Sequence, residues 1–320
     1  MIDFFDTSSI NDSYELVIIG GGPAGCTAAI YASRDDISAL VLEKNNPGGQ
    51  MGLTSHIENH PAFSETITGV ELAEKYYQHA TKFGAHFRNG HCIDFRINGL
   101  VKEIYIAERE KPILAKAVII ATGNTSKKLD VPGENKFWGR GVSTCATCDG
   151  GFYRNKIVAA VGGGNAALQE SLYLTRFADK VYLIHRRDEF RGSKIAQKAV
   201  KQCNRIELVL NSVVTDINGD TKVTSVNVKN LKTEETKKID TDGVFVFIGQ
   251  QPQAFPFNKL LPTDSEGFLI ADETTVTTLP GIFAAGDIRT KEIRQIATAI
   301  SDGAVAAKMA ERYIQSISMN

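Results

Sequence analysis

Leu16-Val-Ile-Ile-Gly-Gly-Gly-Pro-Ala-Gly25 decides how this chain folds. Four consecutive apolar residues read as a buried strand, and the strand ends at Gly20. Gly20, Gly22 and Gly25 have GxGxxG spacing, and small and apolar residues then recur at helical spacing from Ala24 to Arg34. Ala39-Leu-Val-Leu42 is the next strand, and it ends in an acid, Glu43. Strand, glycine loop, helix and acid-terminated strand are the context a dinucleotide fingerprint needs. With Pro23 and Ala24 at the helix entry, the glycines let backbone approach a pyrophosphate, and Glu43 can accept from ribose hydroxyls. The competing reading is a tight turn with no ligand.

The same plan returns downstream. Ile157-Val-Ala-Ala-Val161 runs into Gly162-Gly-Gly-Asn-Ala-Ala167, a helix follows to about Arg176, and Val181-Tyr-Leu-Ile184 ends at His185. Gly162 and Gly164 hold the glycine positions, Asn165 and Ala166 open the helix, and Ala167 replaces the third glycine, a tolerated variant. Glu43 follows Gly20 by 23 residues (43 − 20), and His185 follows Gly162 by 23 (185 − 162). Each copy goes on with short strands and a turn signal, Asn98-Gly99 or Asn218-Gly219, and closes on an apolar run into Gly123 or Gly249. A repeated strand–helix–strand order predicts parallel sheets. The expected fold is α/β, with two Rossmann-like dinucleotide-binding domains. Polar or Pro-containing segments near 122–128 and 250–254 read as crossings, which gives domains at 1–123, 124–251 and 252–320. In the last part, Gly281-Ile-Phe-Ala-Ala-Gly286-Asp287 is a strand into a turn, followed by a small-residue helix that returns to the first domain.

The two copies differ where ribose is read. The second has His185-Arg186-Arg187 in place of the acid, with Arg191 one turn later. A carboxylate repels a 2′-phosphate, whereas guanidinium groups bind it by charge-assisted, often bidentate hydrogen bonds. The first site therefore suits FAD and the second NADPH, against a plain solvated basic turn.

Cys145-Ala-Thr-Cys148 and Asp149 stand between the two fingerprints, with Cys148 14 residues (162 − 148) before Gly162. Two cysteines at this spacing can close and reopen a disulfide, a two-electron store. Zinc needs further ligands at metal spacing, and Cys26, Cys92 and Cys203 are scattered. A redox pair needs a proton source, which Asp149 can supply. Cys26, among small residues, reads as packing.

Composition narrows the setting. The net charge of −1 on 320 residues gives no footprint for nucleic acid or anionic membrane. No apolar run reaches the roughly 18 residues that span a bilayer. The acidic start has no leader-like basic region, and five cysteines form no secreted framework. The expected location is cytoplasmic, with no metal.

Two more loops carry weaker signals. Pro47-Gly-Gly-Gln50 can bring backbone to a flat ring, with Gln50 donating to a carbonyl. Gly286-Asp287 can accept from a ribityl hydroxyl, and Arg294-Gln295-Ile296-Ala297 begins a helix whose N-terminus can face a flavin.

The ordered set, with Ile57-Glu-Asn59 and Ala121-Thr-Gly123 added, resembles the bacterial-type, low-molecular-weight thioredoxin reductases from about Tyr14 onward. The resemblance implies a homodimer that binds FAD, has an NADPH domain inserted in its FAD domain, and reduces the disulfide of thioredoxin. It implies that Cys148 lies beside the flavin, Cys145 attacks the partner and Asp149 is the acid. Gln50, Asn59, Asp287, Arg294 and Gln295 would be flavin-side contacts. It implies too that the inserted domain swings, since nicotinamide and cysteines must reach one flavin in turn. Gly151, Lys75 and Gln169 depart from the family pattern and bear on partner affinity. A flavin disulfide reductase or dithiol oxidase with another partner, and a non-catalytic redox sensor, remain as alternatives.

Overall fold

The computed structural model describes residues 5, 10–54 and 57–319. Most of the acidic start read above lies outside them. In chain order, β1 (Ser13–Ile19), α1 (Pro23–Arg34) and β2 (Ala39–Glu43) form the first repeat. Then come α2 (Gly69–Lys82), β3 (His86–Asn89), β4 (Cys92–Asn98), β5 (Val101–Ile106) and β6 (Ile113–Ile120). A short β7 (Asn124–Ser126) leads to α3 (Glu134–Phe137), β8 (Val142–Ser143) and α4 (Ala146–Asp149). The second repeat is β9 (Ile157–Gly162), α5 (Asn165–Leu174) and β10 (Lys180–Ile184), followed by α6 (Lys194–Gln202) and β11 (Ile206–Val209). β12 (Ser212–Gly219), β13 (Val223–Asn230), β14 (Thr236–Asp240) and β15 (Gly243–Phe247) follow. The chain ends with β16 (Gln250–Pro252), β17 (Ile282–Ala284) and α7 (Ile296–Ser318).

These elements make two compact units, one of residues 1–125 with 251–320, the other of residues 126–250. β7 and β16, the crossing segments, pair with each other.

In the first unit the strand order is β3-β2-β1-β6-β5-β4, with β17 parallel to β6 at Ile282↔Val118. From Leu16 to Ile19 β1 is apolar and buried, because both faces of the sheet are covered there. Leu16 and Ile18 join a core with Ala28, Ala29 and Ala32 of α1 and Ala306, Ala307 and Ala310 of α7. Val17 and Ile19 face the other core, with Phe95, Phe257 and Leu269. Small residues let α1 and α7 pack closely. A Cβ on Gly303 would lie 2.2 Å from the carbonyl oxygen of Ala24.

In the second unit a parallel sheet runs β11-β10-β9-β15-β8. The antiparallel sheet β12-β13-β14 shares a core with it, built on Val214, Val226 and Val228 with Val161, Ile184 and Val244. One turn differs from expectation. Asn218 and Gly219 stay in β12, with a register shift between them, and the chain bends over 220–222.

Candidate active site: two glycine loops and a disulfide

At the first loop Gly20 has φ +110°, and a Cβ there would come 2.3 Å from the Ala121 carbonyl, so backbone geometry demands glycine. Gly22 differs: the nearest atom to a Cβ would be the Gly49 Cα at 4.0 Å. The protein's own packing does not require glycine there. The open space above it fits the close approach of a pyrophosphate. α1 begins with Pro23 and has neither a side-chain cap nor an acid in its first turn, which leaves its N–H groups to a ligand. By contrast, Glu71 and Thr68 close a capping box on α2.

Glu43 is buried at the end of β2. Its Oε2 accepts the Gly21 N–H at 2.7 Å, and its Oε1 accepts the Asn45 N–H at 2.8 Å. The carboxylate is thereby fixed by the chain's own backbone. Cys26 lies just behind the loop, where its thiol donates to the Gly21 carbonyl at 3.2 Å. Burial, then the charge of Glu43, push that thiol up to about 12, so Cys26 stays protonated and packs.

A second group in this unit gathers at the start of α7. Burial raises Asp287 above the usual carboxylate range, and its buried Oδ1 has no hydrogen-bond partner. The Arg294 guanidinium lies 3.8 Å from the centre of the Phe268 ring, with its Nε also buried and unpartnered. Gln295 accepts from the Asn59 amide at 3.0 Å. An acceptor and a donor left open beside a helix start fit a polar cofactor such as a flavin with its ribityl chain. Arg294 and Gln295 precede the helix rather than begin it: Gln295 is its extended N-cap, and Ile296 and Ala297 are its first residues. Gln50 is exposed in a 3-10 turn over Gly49–Leu53, and Gly123 takes φ +66° where its carbonyl accepts from Gln253.

Asp302 was not singled out by sequence. It lies on α7, nearly fully buried, and accepts the Gly286 N–H, Arg289 Nε and Lys291 Nζ, each at 2.8 Å. It anchors the turn that carries Asp287. Burial pushes its carboxyl up, but the bonds from Arg289 and Lys291 outweigh that and hold it below its usual range. The signal was present as an acid inside the small-residue run of α7.

In the second unit the loop is tied differently. A Cβ on Gly163 would lie 2.1 Å from the His185 ring, while one on Gly164 would meet nothing within 4 Å. Again one glycine serves packing and the other faces open space. α5 has neither a side-chain cap nor a first-turn acid. Asn165 fastens the basic loop, its Oδ1 accepting the Ser193 N–H at 2.7 Å, and Ala166 is exposed beside it. Arg191 is not one helical turn beyond Arg187. It lies in an irregular loop that folds back, its N–H donating to the Gly163 carbonyl at 2.8 Å.

His185 is buried and stacked on Phe190, with ring centres 5.1 Å apart. Burial pulls it below the usual imidazole range; a bond to the Glu189 carbonyl opposes this, and Arg187, Arg191 and Arg186 add to it. The three arginines are exposed, and among the described residues none makes a side-chain hydrogen bond or ion pair. Three guanidinium groups without a partner among the described residues, near one strand end, have the charge and donors an anion would need.

Cys145 and Cys148 are joined in a disulfide, with Cα atoms 5.3 Å apart. Cys145 caps α4, its Sγ accepting the Cys148 N–H at 3.2 Å, and its own N–H donates to Ser143 Oγ at 3.1 Å. Cys145 is half-buried and Cys148 exposed. Asp149, half-buried, ends the same turn. The pair lies in the unit that carries the arginine loop.

A family model described as pyridine nucleotide-disulphide oxidoreductase matches residues 14–303. The thioredoxin reductase of Bacillus subtilis (strain 168) is 44% identical over 306 residues, covering 95% of this chain and 96% of that protein. That of Listeria innocua is 43% identical, with 95% of each covered. The crystal structure of thioredoxin reductase from Streptococcus pyogenes MGAS5005 is 42% identical and covers 96% of this chain and 100% of that one, with a TM-score of 0.92. The paired glycine loops and the disulfide thus have the company they imply, and the chain belongs to the pyridine nucleotide-disulphide oxidoreductases, among the thioredoxin reductases.

Proposed function

We propose that this protein is an NADPH-dependent thioredoxin reductase that binds FAD. The observation that carries the reading is a closed Cys145–Cys148 disulfide in the unit whose strand-end arginines are unpaired. FAD belongs to residues 1–123 and 252–320, and NADPH to residues 124–251. Gly20, Gly22 and Gly25 with Pro23 and Ala24 would hold the pyrophosphate of FAD, and Glu43 its ribose. Asp287, Arg294, Gln295, Asn59 and Gln50 would meet its flavin half, together with Gly123, Gly286 and the Ile296–Ala297 turn. Gly162, Gly164 and Ala166 would cradle NADPH, in a loop that Asn165 fastens. Arg186, Arg187 and Arg191 would pair with its 2′-phosphate, over a floor made by His185.

A flavin held by these residues would supply the two-electron chemistry that links NADPH to the disulfide. The chain's own residues then carry out exchange. The Cys145 thiolate attacks the partner's disulfide, so an S–S bond forms from Cys145 to the partner, the partner's own S–S bond breaks, and one partner thiolate leaves and takes a proton. The Cys148 thiolate attacks the Cys145 sulfur, which re-forms the intrachain bond and releases the second partner thiol. Asp149 supplies a proton to the departing thiolate. Only two crossing segments join the units, and a swing about them would let nicotinamide and cysteines take turns. The enzyme is proposed to act as a homodimer in the cytoplasm, where thiols are kept reduced.

The test is NADPH oxidation, followed optically, with oxidised thioredoxin from the same source. Turnover that depends on both thioredoxin and NADPH supports the reading. A folded, flavin-loaded protein that oxidises no NADPH with any thioredoxin refutes it.

A further inference from the structure

Glu170 lies on α5, the helix that follows the second glycine loop, and has no part in the exchange described above. Its Oε2 accepts the N–H of Ala146 at 3.2 Å. Ala146 is fully buried and is the first helical residue after Cys145. The amides around it are bonded locally: Cys145 N–H to Ser143 Oγ, Cys148 N–H to Cys145 Sγ, and Asp149 N–H to the Cys145 carbonyl. The N–H of Ala146 is held by a side chain 24 residues away, on α5. Glu170 therefore ties the redox turn to the helix of the nucleotide loop.

We propose that Glu170 is a positioning residue for the redox pair, fixing the turn behind Cys145 and setting the charge against which the Cys145 thiolate forms. The proposal rests on the redox reading of the pair. Burial pushes the Glu170 carboxyl up, the Ala146 bond works against that, and no cation contributes. In its ionised form Glu170 puts a negative charge on the turn where the Cys145 thiolate forms. The Cys148 N–H favours that thiolate, whereas Glu170 opposes it and keeps the thiol's pKa up. A thiolate of higher pKa is the stronger nucleophile, so Glu170 exchanges thiolate fraction for reactivity. Other titratable groups close by in these elements are Asp149 within the turn, Tyr153 in the turn that follows, and Tyr173 on α5.

The experiment uses the full chain with Cys148→Ser, so that Cys145 is the only thiol of the turn. Alkylation of Cys145 by iodoacetamide is followed against pH by mass spectrometry of its peptide, and amide exchange at Ala146 is measured alongside. In Glu170→Gln the amide oxygen keeps the bond and the charge is gone, so the alkylation inflection falls by about 0.5–1 pH unit while exchange stays slow. Glu170→Leu removes both, so the inflection falls similarly and Ala146 exchanges at least roughly tenfold faster. An inflection that stays in place in Glu170→Gln overturns the proposal, and so does unchanged exchange in Glu170→Leu. Neither readout involves thioredoxin, so a different physiological partner would leave this result standing.

Discussion

The two glycine loops share a plan and end in opposite chemistry. In the first, the strand-end acid is part of the scaffold: Glu43 is buried, and each of its oxygens holds a backbone N–H. In the second, the strand-end bases are not. Arg186, Arg187 and Arg191 are exposed and have no partner among the described residues, and the loop beneath them is held by Gly163, Asn165 and the stacked His185. The difference would follow from how each charge is proposed to recognise its ligand. A carboxylate that accepts from a ribose must be aimed and kept dry, so the fold buries it. Guanidinium groups that meet a phosphate carry five donors each and long-range attraction, so they can wait in solvent. One loop is therefore expected to be costly to alter structurally, the other only functionally.

The largest effect tests what lies between the loops. Cys145→Ser and Cys148→Ser should each lower thioredoxin reduction at least roughly a thousandfold, as expected when a nucleophile of a concerted unit is lost. Both variants should still bleach their flavin with NADPH in an anaerobic cuvette. Substantial turnover in either would mean that the loops do not feed this disulfide.

Next comes the basic loop itself. Arg186→Ala with Arg187→Ala should raise the KM for NADPH roughly tenfold per effective arginine, since each charge-assisted contact contributes about 1.5–3 kcal/mol. The KM for NADH should stay within about twofold, because NADH offers no phosphate to pair. Steady-state kinetics with both nucleotides decides it, and equal losses with the two would erase the contrast between the loops.

The structural half of the contrast is smaller. Glu43→Ala strands the buried Gly21 N–H, while that of the exposed Asn45 turns to water, and should cost about 1–3 kcal/mol in urea unfolding, with loss of yellow colour on purification. The double arginine variant should stay within about 0.5 kcal/mol of the parent, as exposed unpaired side chains do. If the arginine variant is the less stable one, the two loops have been assigned the wrong way round.

The parts of this molecule that the sequence announces are those set by local rules. Fully buried parallel strands must be apolar on both faces, so Leu16–Ile19 and Ile157–Val161 appear as unbroken runs, and glycine marks where each chain turns. Strand ends then place Glu43 and His185 at matching positions. What stayed hidden depends on approach through space. Asp302 is an acid in the middle of a helix, and its role exists only because Gly286, Arg289 and Lys291 fold back onto it. Glu170 carries no signal in the sequence, and its role exists only because Ala146 lies against it. Arg191 cannot be placed by counting, because Gly163 decides where its loop runs. The start of α7 shifted for a similar reason, with Gln295 extended to cap the helix while Arg294 lies on Phe268.

The finest test uses His185 as a built-in reporter of the basic loop. Its ring is buried against Phe190, and burial is the main reason it titrates below the ordinary imidazole range. Arg187, Arg191 and Arg186 add to that depression, and the Glu189 carbonyl works against it. A folded-state pKa below the unfolded one means the native state binds the proton less readily. The neutral ring therefore contributes stability above the unfolded value, and that contribution is lost as pH falls through the ordinary histidine range toward the native value. Replacing Arg186 and Arg187 by Gln removes two positive neighbours, so the His185 inflection should move up, by about a few tenths of a pH unit for charges that face water. Proton NMR of the His185 ring in the parent and the double variant reads this directly. A downward move, or none, would mean that the guanidinium groups do not converge on the strand end, and the second loop would lose its claim to a phosphate.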